Sequence, residues 1–288
     1  MGRSRSNSKR SSNTPVAAKK SWGDGGFFGN RELGALSLLV ATPLLVFPYW
    51  FLCARVRGGD VAELFENFSH FQAKGSFSAF LQELWFEAHP GDVYAWKIIL
   101  YYMLFELILQ RWMPGKLFRA EGARTVSGRV PEYIANGVQS YVFTIICLFA
   151  LRHDSQQPPE KQFIGFNPAD VYDKMGHLLS CSNLLALALC TLLTFKGLYA
   201  PSTKESGTNG NFIIDFFWGT DLYPNLLGWD VKQFTNCRFG MMFWQVGILC
   251  YAMKQYDLLH TLDSAMVVSV LLQTVYIAKF FWWETGAQ

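Results

Sequence analysis

Six stretches of this 288-residue chain are apolar over a length comparable to the thickness of a lipid bilayer. A helix needs about 20 mostly apolar residues to cross the hydrocarbon core, where every backbone polar group must be bonded within the helix. Hydrophobic residues make up 51% of the chain and charged residues only 16%, against about 25% charged residues in soluble domains. The pattern predicts an all-α fold, a polytopic transmembrane helical bundle with about six spans. The predicted spans are Leu33 to Ala54, Tyr94 to Trp112, Gly137 to Leu151, His177 to Phe195, Phe239 to Met253 and Ala265 to Trp283, of which the third is a little short.

The charges of the connecting segments predict how the bundle lies in the membrane. Cytosolic loops of membrane proteins carry an excess of Lys and Arg. The N-terminal tail is basic, the loop after the first span is mainly acidic, the next loop has more basic than acidic residues, and the loop after the third span is slightly acidic. This alternation fits a cytosolic N-terminus and places the loop from Gly210 to Arg238 on the cytosolic side.

Residues 1–30 differ in composition from the rest of the chain. They are rich in Ser, Gly and basic residues and contain no long apolar stretch, which predicts a disordered cytosolic tail rather than a cleaved signal peptide. We therefore divide the chain into this tail and a transmembrane domain over residues 31–288. The net charge is only +3 and the basic excess is local, which argues against a nucleic-acid partner. The six cysteines form no CxxC pair and no zinc-site spacing with histidines, so no metal site is predicted.

The loop from Gly210 to Arg238 contains the densest set of polar residues next to a predicted span. Its charged residues alternate with Phe and Trp, and glycines and a proline indicate sharp turns. Two interpretations remain open from the residues alone. Lys232 and Arg238 are suited to bind an anionic ligand such as a nucleotide phosphate, or the loop lies at the membrane interface with its charges facing the cytosol.

Glu106 is a carboxyl residue in the middle of the second predicted span. An ionisable residue inside a membrane is a candidate functional site. The alternative is a carboxyl group that is hydrogen-bonded to a neighbouring helix, and we favour this alternative.

Three segments resemble those of one known family. They read RTVSGRVPEYIANGVQSY from Arg124, GNFIIDFFWGTDLYPNLLGWDVKQFTNCRFGMMFW from Gly210, and AMVVSVLLQTVYIAKFFWWET from Ala265. Together they resemble the sterol reductase family, which includes the C14 and C7 sterol reductases and the C-terminal domain of the lamin B receptor. The resemblance covers about Gly34 to Thr285 and is nearest to the C7 reductases. The residues that match the family pattern include Gly128, Pro131, Tyr133, Asn136, Gly137, Gln139, Gly210, Asn211, Asp215, Gly219, Pro224, Asp230, Lys232, Phe234, Arg238, Gly240 and Trp244.

The resemblance implies a multi-pass enzyme of the endoplasmic reticulum membrane that acts in sterol biosynthesis. It implies that an acidic group protonates a ring double bond of a sterol from the bilayer and that NADPH supplies the hydride. Tyr276 and Asp221 are the candidate catalytic residues that follow from it. The residues expected to shape the substrate site or its loop are Asn211, Trp218, Lys232, Arg238, Trp244 and Gln273.

Several positions depart from the family pattern. Asp221 stands where the family has Glu, Asn225 where it has Arg, Phe239 where it has Pro, and Lys279 where it has an acidic residue. The family has a roughly ten-span fold, and its last four spans build most of the cofactor pocket. We therefore expect a truncated chain that lacks most cofactor contacts, and we assign no cofactor-binding residue.

Three questions stay open at this point. The first is whether the sterol double bond that is reduced is the one at C7 or the one at C14. The chain is an enzyme, or it is a non-catalytic membrane protein of the nuclear envelope, like the lamin B receptor. The partners expected are a sterol and membrane lipid, while the sequence gives no oligomeric state.

Overall fold

The computed structural model describes residues 30–55, 69, 77–123, 130–150, 167–202, 208, 210–221 and 223–286. The tail predicted over residues 1–30 lies, apart from Asn30, outside these ranges. Asn30 accepts hydrogen bonds from the N–H groups of Glu32 and Leu33 and so begins the first helix. The α-helices are α1 (Arg31–Arg55), α2 (Phe77–Ala88), α3 (Val93–Trp112), α4 (Gly137–Ala150), α5 (Asp170–Asp173), α6 (Met175–Tyr199), α7 (Phe212–Trp218), α8 (Val231–Gln233), α9 (Met242–Leu259) and α10 (Ser264–Glu284).

The remaining elements are short. A 3-10 turn covers Glu121–Ala123, and a π-helix covers Phe234–Met241 between α8 and α9. The strands β1 (Lys116–Arg119) and β2 (Glu132–Ala135) pair antiparallel, with Leu117 opposite Ile134. The strands β3 (Asn225–Leu226) and β4 (Trp229–Asp230) form a second antiparallel pair.

Each of the six predicted spans contains one helix, so the predicted all-α membrane fold is confirmed. Four described helices, α1, α3, α6 and α10, are long and apolar enough to cross a membrane. Helix α4 is apolar but shorter, as its sequence predicts. Helix α9 has 18 residues and includes Gln245, Lys254, Gln255 and Asp257, which make it more polar than the others.

Side-chain contacts show that the helices run alternately up and down. At one end of the bundle Lys174, before α6, pairs with Asp92, before α3, at 2.7 Å. At the same end Lys254, late in α9, pairs with Asp173 at 2.6 Å. We call this the Asp92 end. The ends of α3 and α10 and the start of α4 meet at the other end, which we call the Arg238 end. This arrangement agrees with a chain that crosses the membrane back and forth.

Close contact between helices depends on small residues at two crossings. A Cβ atom added at Gly176 of α6 would lie 2.3 Å from the Trp50 ring and 2.4 Å from the Glu87 carbonyl oxygen. A Cβ atom at Gly197 would lie 2.1 Å from Thr220 Oγ1. Distances under about 3 Å between such atoms are excluded by their van der Waals radii. These glycines therefore let α6 approach α1, α2 and the segment after α7.

The pair at the Asp92 end predicts a pH dependence of stability. Burial raises the pKa of Asp92, but hydrogen bonds from Lys174 and from the Ala95 N–H outweigh it, so the pKa lies below its ordinary value of 3.8. A carboxyl group whose pKa is lowered by folding stabilises the fold above its unfolded pKa, and that contribution is lost as the pH falls through the folded pKa.

We expect Asp92→Asn to be less stable than the parent protein at neutral pH, with a difference that shrinks as the pH falls below about 4. Asn caps a helix as well as Asp, so the comparison isolates the charge. Denaturant unfolding of both proteins across this pH range checks the prediction. A difference that stays constant with pH would contradict it.

Candidate functional site

The loop from Gly210 to the π-helix is held by local hydrogen bonds that its sequence dictates. Asn211 Oδ1 accepts hydrogen bonds from the N–H groups of Ile213 and Ile214 and so caps α7. Asp230 Oδ1 accepts one from the Gln233 N–H at 2.9 Å and begins α8. Between them, Gly219 and Gly228 have φ values of 82° and 90°, a region that glycine adopts without a steric penalty. The predicted sharp turns are confirmed at these two glycines.

The π-helix Phe234–Met241 sets the position of Arg238. Its wider turn departs from the usual register, and such turns occur frequently at functional sites. The Tyr102 hydroxyl of α3 donates a 2.7 Å hydrogen bond to the Arg238 carbonyl oxygen. A residue from another span thus satisfies a backbone group of the π-helix.

Arg238 is fully buried and forms an ion pair with Glu284 of α10. Its Nη1 lies 2.9 Å from Glu284 Oε2 and its Nη2 lies 2.8 Å from Glu284 Oε1, so the contact is bidentate. Nη2 also donates to Asn136 Oδ1 at 2.7 Å. The guanidinium carbon lies 5.8 Å from the centre of the Phe281 ring. Bidentate pairs of this kind are the strongest hydrogen-bonded contacts between side chains.

Other buried polar groups extend this contact into the Arg238 network, defined here as Arg238, Glu284, Asn136, Gln233 and Gln110. Asn136 Nδ2 donates to the carbonyl oxygens of Gln110 and Met113, each at 3.0 Å. Gln233 Nε2 donates to Glu284 Oε1 at 2.8 Å, and Gln110 Nε2 donates to Gln233 Oε1 at 3.1 Å. The network therefore joins α3, the residue that precedes α4, α8, the π-helix and α10 at one end of the bundle.

The Arg238 network also encloses a tyrosine of β2. The Tyr133 hydroxyl donates to the Glu284 carbonyl oxygen at 3.1 Å. Burial, with the nearby Glu284 carboxylate, raises the pKa of Tyr133. Tyr133 stays protonated and serves as a hydrogen-bond donor at neutral pH.

This geometry agrees with neither of the two interpretations of Arg238. Its guanidinium is enclosed and already binds a carboxylate, so it faces neither an anion from solution nor the cytosol. The loop-shaping role expected of Arg238 stays a prediction. Lys232 is exposed, and its Nζ lies 5.8 Å from the centre of the Tyr223 ring.

Asp221 occupies a second buried ion pair at the Arg238 end. Its side chain is 1% exposed, and its Oδ2 lies 3.0 Å from Lys196 Nζ at the end of α6. The same oxygen accepts a hydrogen bond from the Ser202 N–H at 3.0 Å. The Ser202 hydroxyl in turn accepts from the Asn225 N–H at 2.9 Å. Asp221 thus connects the end of α6 to the turn before β3.

Tyr276 lies on a different surface, the lateral face of α10. Its side chain is 55% exposed, its ring centre lies 5.6 Å from that of Trp244, and its hydroxyl has no hydrogen bond within the described residues. Trp244 Nε1 donates to Gln273 Oε1, and Gln273 Nε2 donates to Ser269 Oγ at 2.7 Å. Exposed aliphatic residues of α10 flank these polar groups; they are Val268, Leu271, Leu272 and Val275.

The predicted site residues therefore fall into separate groups. One group consists of Trp244, Gln273 and Tyr276, which lie together. Asp221 lies elsewhere, in contact with Lys196. Among the described residues, no contact joins Asp221 to Tyr276. Trp218 ends α7, is partly exposed, and its ring packs against Phe217. The catalytic roles of Tyr276 and Asp221 stay predictions.

The sequence interpretation did not single out four residues of these groups as site residues: Asn136, Gln233, Glu284 and Lys196. Asn136 belongs to the matched segment that begins at Arg124, so a signal for it was present. Glu284 belongs to the matched segment that begins at Ala265. Gln233 and Lys196 carry no motif, and only the folded contacts reveal them.

Glu106 is fully buried in α3, and its Oε1 accepts a 2.8 Å hydrogen bond from Thr144 of α4. The prediction of a carboxyl group bonded to a neighbouring helix is confirmed. Its Oε2 is buried and has no hydrogen bond within the described residues. A second polar link between helices begins at Tyr141, which lies one turn before Thr144 in α4. The Tyr141 hydroxyl donates to Gln245 Oε1 of α9 at 3.2 Å, and Gln245 Nε2 donates to the Thr274 hydroxyl of α10 at 3.0 Å.

Thr144→Val should destabilise the protein by about 1–3 kcal/mol, because the buried carboxyl group of Glu106 loses its hydrogen-bond partner. Thr191→Val is the matched control, since Thr191 is exposed and bonds only to Leu187 of its own helix; its expected effect is below about 0.5 kcal/mol. Denaturant unfolding in one detergent measures both. Equal effects of the two substitutions would contradict the prediction.

The described residues do not form a recognisable dinucleotide site. Phosphate groups of a dinucleotide require several donors that converge on them. Arg238 and Lys196 are engaged by carboxylates, which leaves Lys232 as the exposed cation of this loop. Among the described residues there is likewise no cluster of metal ligands.

Comparisons with known proteins give a consistent result. A family model described as the ergosterol biosynthesis ERG4/ERG24 family matches residues 27–287. The chain is 40% identical over 252 residues to 7-dehydrocholesterol reductase of Arabidopsis thaliana, covering 87% of this chain and 54% of the relative. It is 29% identical over 259 residues to 7-dehydrocholesterol reductase of Xenopus laevis, covering 86% and 52%. It is 29% identical over 247 residues to Delta(14)-sterol reductase of Methylotuvimicrobium alcaliphilum, covering 85% and 52%. The chain spans about half the length of the curated relatives it matches.

Proposed function

Because this chain belongs to the ergosterol biosynthesis ERG4/ERG24 family, we propose that it takes part in the reduction of a ring double bond of a sterol, with NADPH as the hydride donor. The family match over residues 27–287 carries this proposal. The membrane fold supports it, since a sterol is an apolar substrate that reaches a protein from the bilayer. The same proposal places the protein in the endoplasmic reticulum membrane with a cytosolic N-terminus.

The C7 double bond is the proposed site of reduction. The relative from Arabidopsis thaliana, at 40% identity, is a 7-dehydrocholesterol reductase, whereas the Delta(14)-sterol reductase from Methylotuvimicrobium alcaliphilum is 29% identical. The substrate class is then a sterol with a conjugated 5,7-diene in its second ring.

Tyr276 is the proposed proton donor. Its hydroxyl faces away from the packed core, on a surface of α10 that a sterol in the bilayer can approach. Transfer of the Tyr276 proton to one alkene carbon forms a C–H bond, leaves a phenolate and places a positive charge on the other alkene carbon. The reaction also needs a hydride for this cation, which NADPH would supply when it is bound. A positioned general acid typically accelerates such a step by about 10²–10⁴-fold.

The Arg238 network is the proposed support for this position. Glu284 fixes the end of α10, eight residues beyond Tyr276, against the π-helix that leads into α9. Because α9 carries Trp244, the network holds the two helices whose side chains meet at Tyr276. Arg238 and Glu284 are positioning residues in this proposal.

The experiment is a conversion assay with membranes that contain the protein, NADPH and 7-dehydrocholesterol. Loss of the ultraviolet absorption of the conjugated diene, with formation of the C7-reduced sterol, is the expected result. Reduction of a C14-unsaturated sterol instead would place the protein with the C14 reductases. Conversion of neither sterol above the rate of control membranes would overturn the proposal.

Tyr276→Phe is expected to lower kcat by about 10²–10⁴-fold while the protein remains folded, since the hydroxyl has no hydrogen bond to lose within the described residues. Tyr101→Phe is the control, because Tyr101 is also an exposed tyrosine of a spanning helix but lies in α3. The assay above compares the two variants at saturating sterol. Equal rates for both would contradict the role of Tyr276.

A further inference from the structure

Three polar residues lie on one lateral face of α10. Ser269, Gln273 and Tyr276 are spaced by four and three residues, which returns each side chain to the same side of an α-helix. All three are at least partly exposed. Trp244 of α9 meets this face, since its Nε1 donates to Gln273 Oε1 and its ring centre lies 5.6 Å from that of Tyr276. We call these four residues the polar stripe of α10.

The hydrogen bonds of the polar stripe run in one direction. An indole N–H can only donate, so Trp244 holds Gln273 with its amide oxygen toward α9 and leaves the amide nitrogen to bond elsewhere. Gln273 Nε2 donates to Ser269 Oγ at 2.7 Å. Ser269 is therefore an acceptor in this chain of hydrogen bonds, and its own O–H donates to no group within the described residues. The chain ends in an unused donor.

Two threonines of another span show how a hydroxyl in a membrane helix is ordinarily satisfied. Thr191 and Thr194 of α6 each donate at 2.8 Å to the carbonyl oxygen four residues earlier, those of Leu187 and Cys190. Such a bond satisfies the hydroxyl within its own helix. Ser269 makes no equivalent bond in α10, a helix that the structure describes in full, and an unpaired donor is costly in hydrocarbon. The O–H of Ser269 is therefore available to an acceptor on a ligand.

We propose that Ser269 binds the hydroxyl oxygen of the sterol, while the double bond to be reduced lies beside Tyr276. This inference rests on the proposed function and adds the residue that recognises the polar end of the substrate. Ser269 and Tyr276 are seven residues apart, which corresponds to about 10 Å along the helix axis. Side chains of a helix lean toward its N-terminus, so the long side chain of Tyr276 shortens the gap to Ser269.

A sterol fits the spacing and the polarity of the polar stripe. Its hydroxyl group is on the first ring, at one end of a rigid apolar ring system, and the proposed double bond is in the second ring. An acceptor at Ser269 and an alkene at Tyr276 therefore match a single molecule that lies along α10. Leu272 and Val275 are 67% and 66% exposed and offer apolar contacts beside the stripe. A ligand without the hydroxyl group would leave the Ser269 donor unpaired, so the stripe selects for that group.

The test compares the binding of 7-dehydrocholesterol with that of the same sterol without its hydroxyl group. Each radiolabelled compound is titrated onto the full chain in a neutral detergent, without NADPH, and gives a Kd. The loss of one neutral hydrogen bond corresponds to about 3- to 10-fold in affinity. We expect the parent protein to bind 7-dehydrocholesterol more tightly by this factor, and Ser269→Ala to bind both compounds with the weaker Kd.

Thr191→Ala is the matched control, because it removes a hydroxyl group of α6 that is already bonded to Leu187. It should keep the preference of the parent protein for 7-dehydrocholesterol. Equal Kd values for the two compounds in the parent protein, or a preference that survives in Ser269→Ala, would overturn the proposal. The melting temperature of each variant in the same detergent establishes that the fold is retained.

The binding test is separate from the conversion assay, because it measures no turnover. A protein that converts the sterol while Ser269→Ala keeps the preference retains the proposed function and refutes the role of Ser269. A protein that loses the preference in Ser269→Ala but converts no sterol supports the role of Ser269 in binding and refutes the proposed reduction.

Discussion

Glu284→Ala is expected to destabilise the protein by about 3–5 kcal/mol, because it leaves the buried guanidinium of Arg238 without its carboxylate. Arg238 is fully buried, and both oxygens of Glu284 accept hydrogen bonds from it. Glu284 also accepts from Gln233 Nε2, so a third hydrogen bond is lost, and Gln233 Nε2 keeps only its 3.3 Å hydrogen bond to the Ile134 carbonyl oxygen. Only Asn136 would still bind the guanidinium through its Oδ1. Chemical unfolding of the purified protein in mixed lipid–detergent micelles measures the change in free energy.

Glu132→Ala provides the comparison for this effect. Glu132 pairs with Arg119 at a similar distance, but both side chains are exposed, and such pairs contribute about 0–1 kcal/mol. The two substitutions remove the same group from an Arg–Glu pair and differ in burial. If Glu284→Ala costs no more than Glu132→Ala, the Arg238 network does not stabilise the fold as described.

Gly137→Ala is expected to be nearly as damaging, although it adds only one methyl group. A Cβ atom at this position would lie 1.7 Å from Glu284 Oε2, 2.8 Å from Glu284 Cδ and 2.9 Å from the Phe281 ring. Glu284 cannot move away without breaking its hydrogen bonds to Arg238. We expect a loss of about 3 kcal/mol or more in the free energy of unfolding, comparable to the loss of a buried ion pair.

A double variant separates this mechanism from a simple helix effect. In the background of Glu284→Ala the carboxyl group is absent, so Gly137→Ala should cost at least about 1 kcal/mol less than it does alone. Gly247→Ala is the control in helix α9, because a Cβ atom there has no neighbour within 4 Å; it should change stability by about 1 kcal/mol or less in the stabilising direction. Additive effects of Gly137→Ala and Glu284→Ala would exclude the steric conflict as the cause.

The positions of α1, α3, α6 and α10 were predictable because a helix needs about 20 mostly apolar residues to cross a membrane. The π-helix was not, since Phe234 to Met241 reads as a polar loop followed by the start of a helix, and no periodic pattern marks the wider turn. The strands β1 and β2 were missed for a related reason. Each has only four residues, and their pairing depends on the packing of Phe118 and Tyr133 against the end of α10.

The candidate site was predictable in part. The motif residues Arg238 and Asn136 are hydrogen-bonded in one buried network although they are 102 positions apart in the chain, and the motif residue Gly137 packs against Glu284 of the same network. Composition and spacing contain no information about such distant contacts, whereas the family pattern marks the positions without giving their contacts. The separation of Asp221 from Tyr276 was equally invisible in the sequence, because it depends on Lys196 at the end of α6.

The distance in sequence between Arg238 and Glu284 has a consequence for biosynthesis. These residues lie 46 positions apart, and a ribosome needs about 2 to 9 s to add that many residues at about 5–20 residues per second. During this interval the guanidinium has no carboxylate to bind, and an unpaired charge in hydrocarbon is costly. Arg238 must therefore remain in contact with water until Glu284 emerges. The last turn of α10 then closes the Arg238 network against residues that were synthesised earlier.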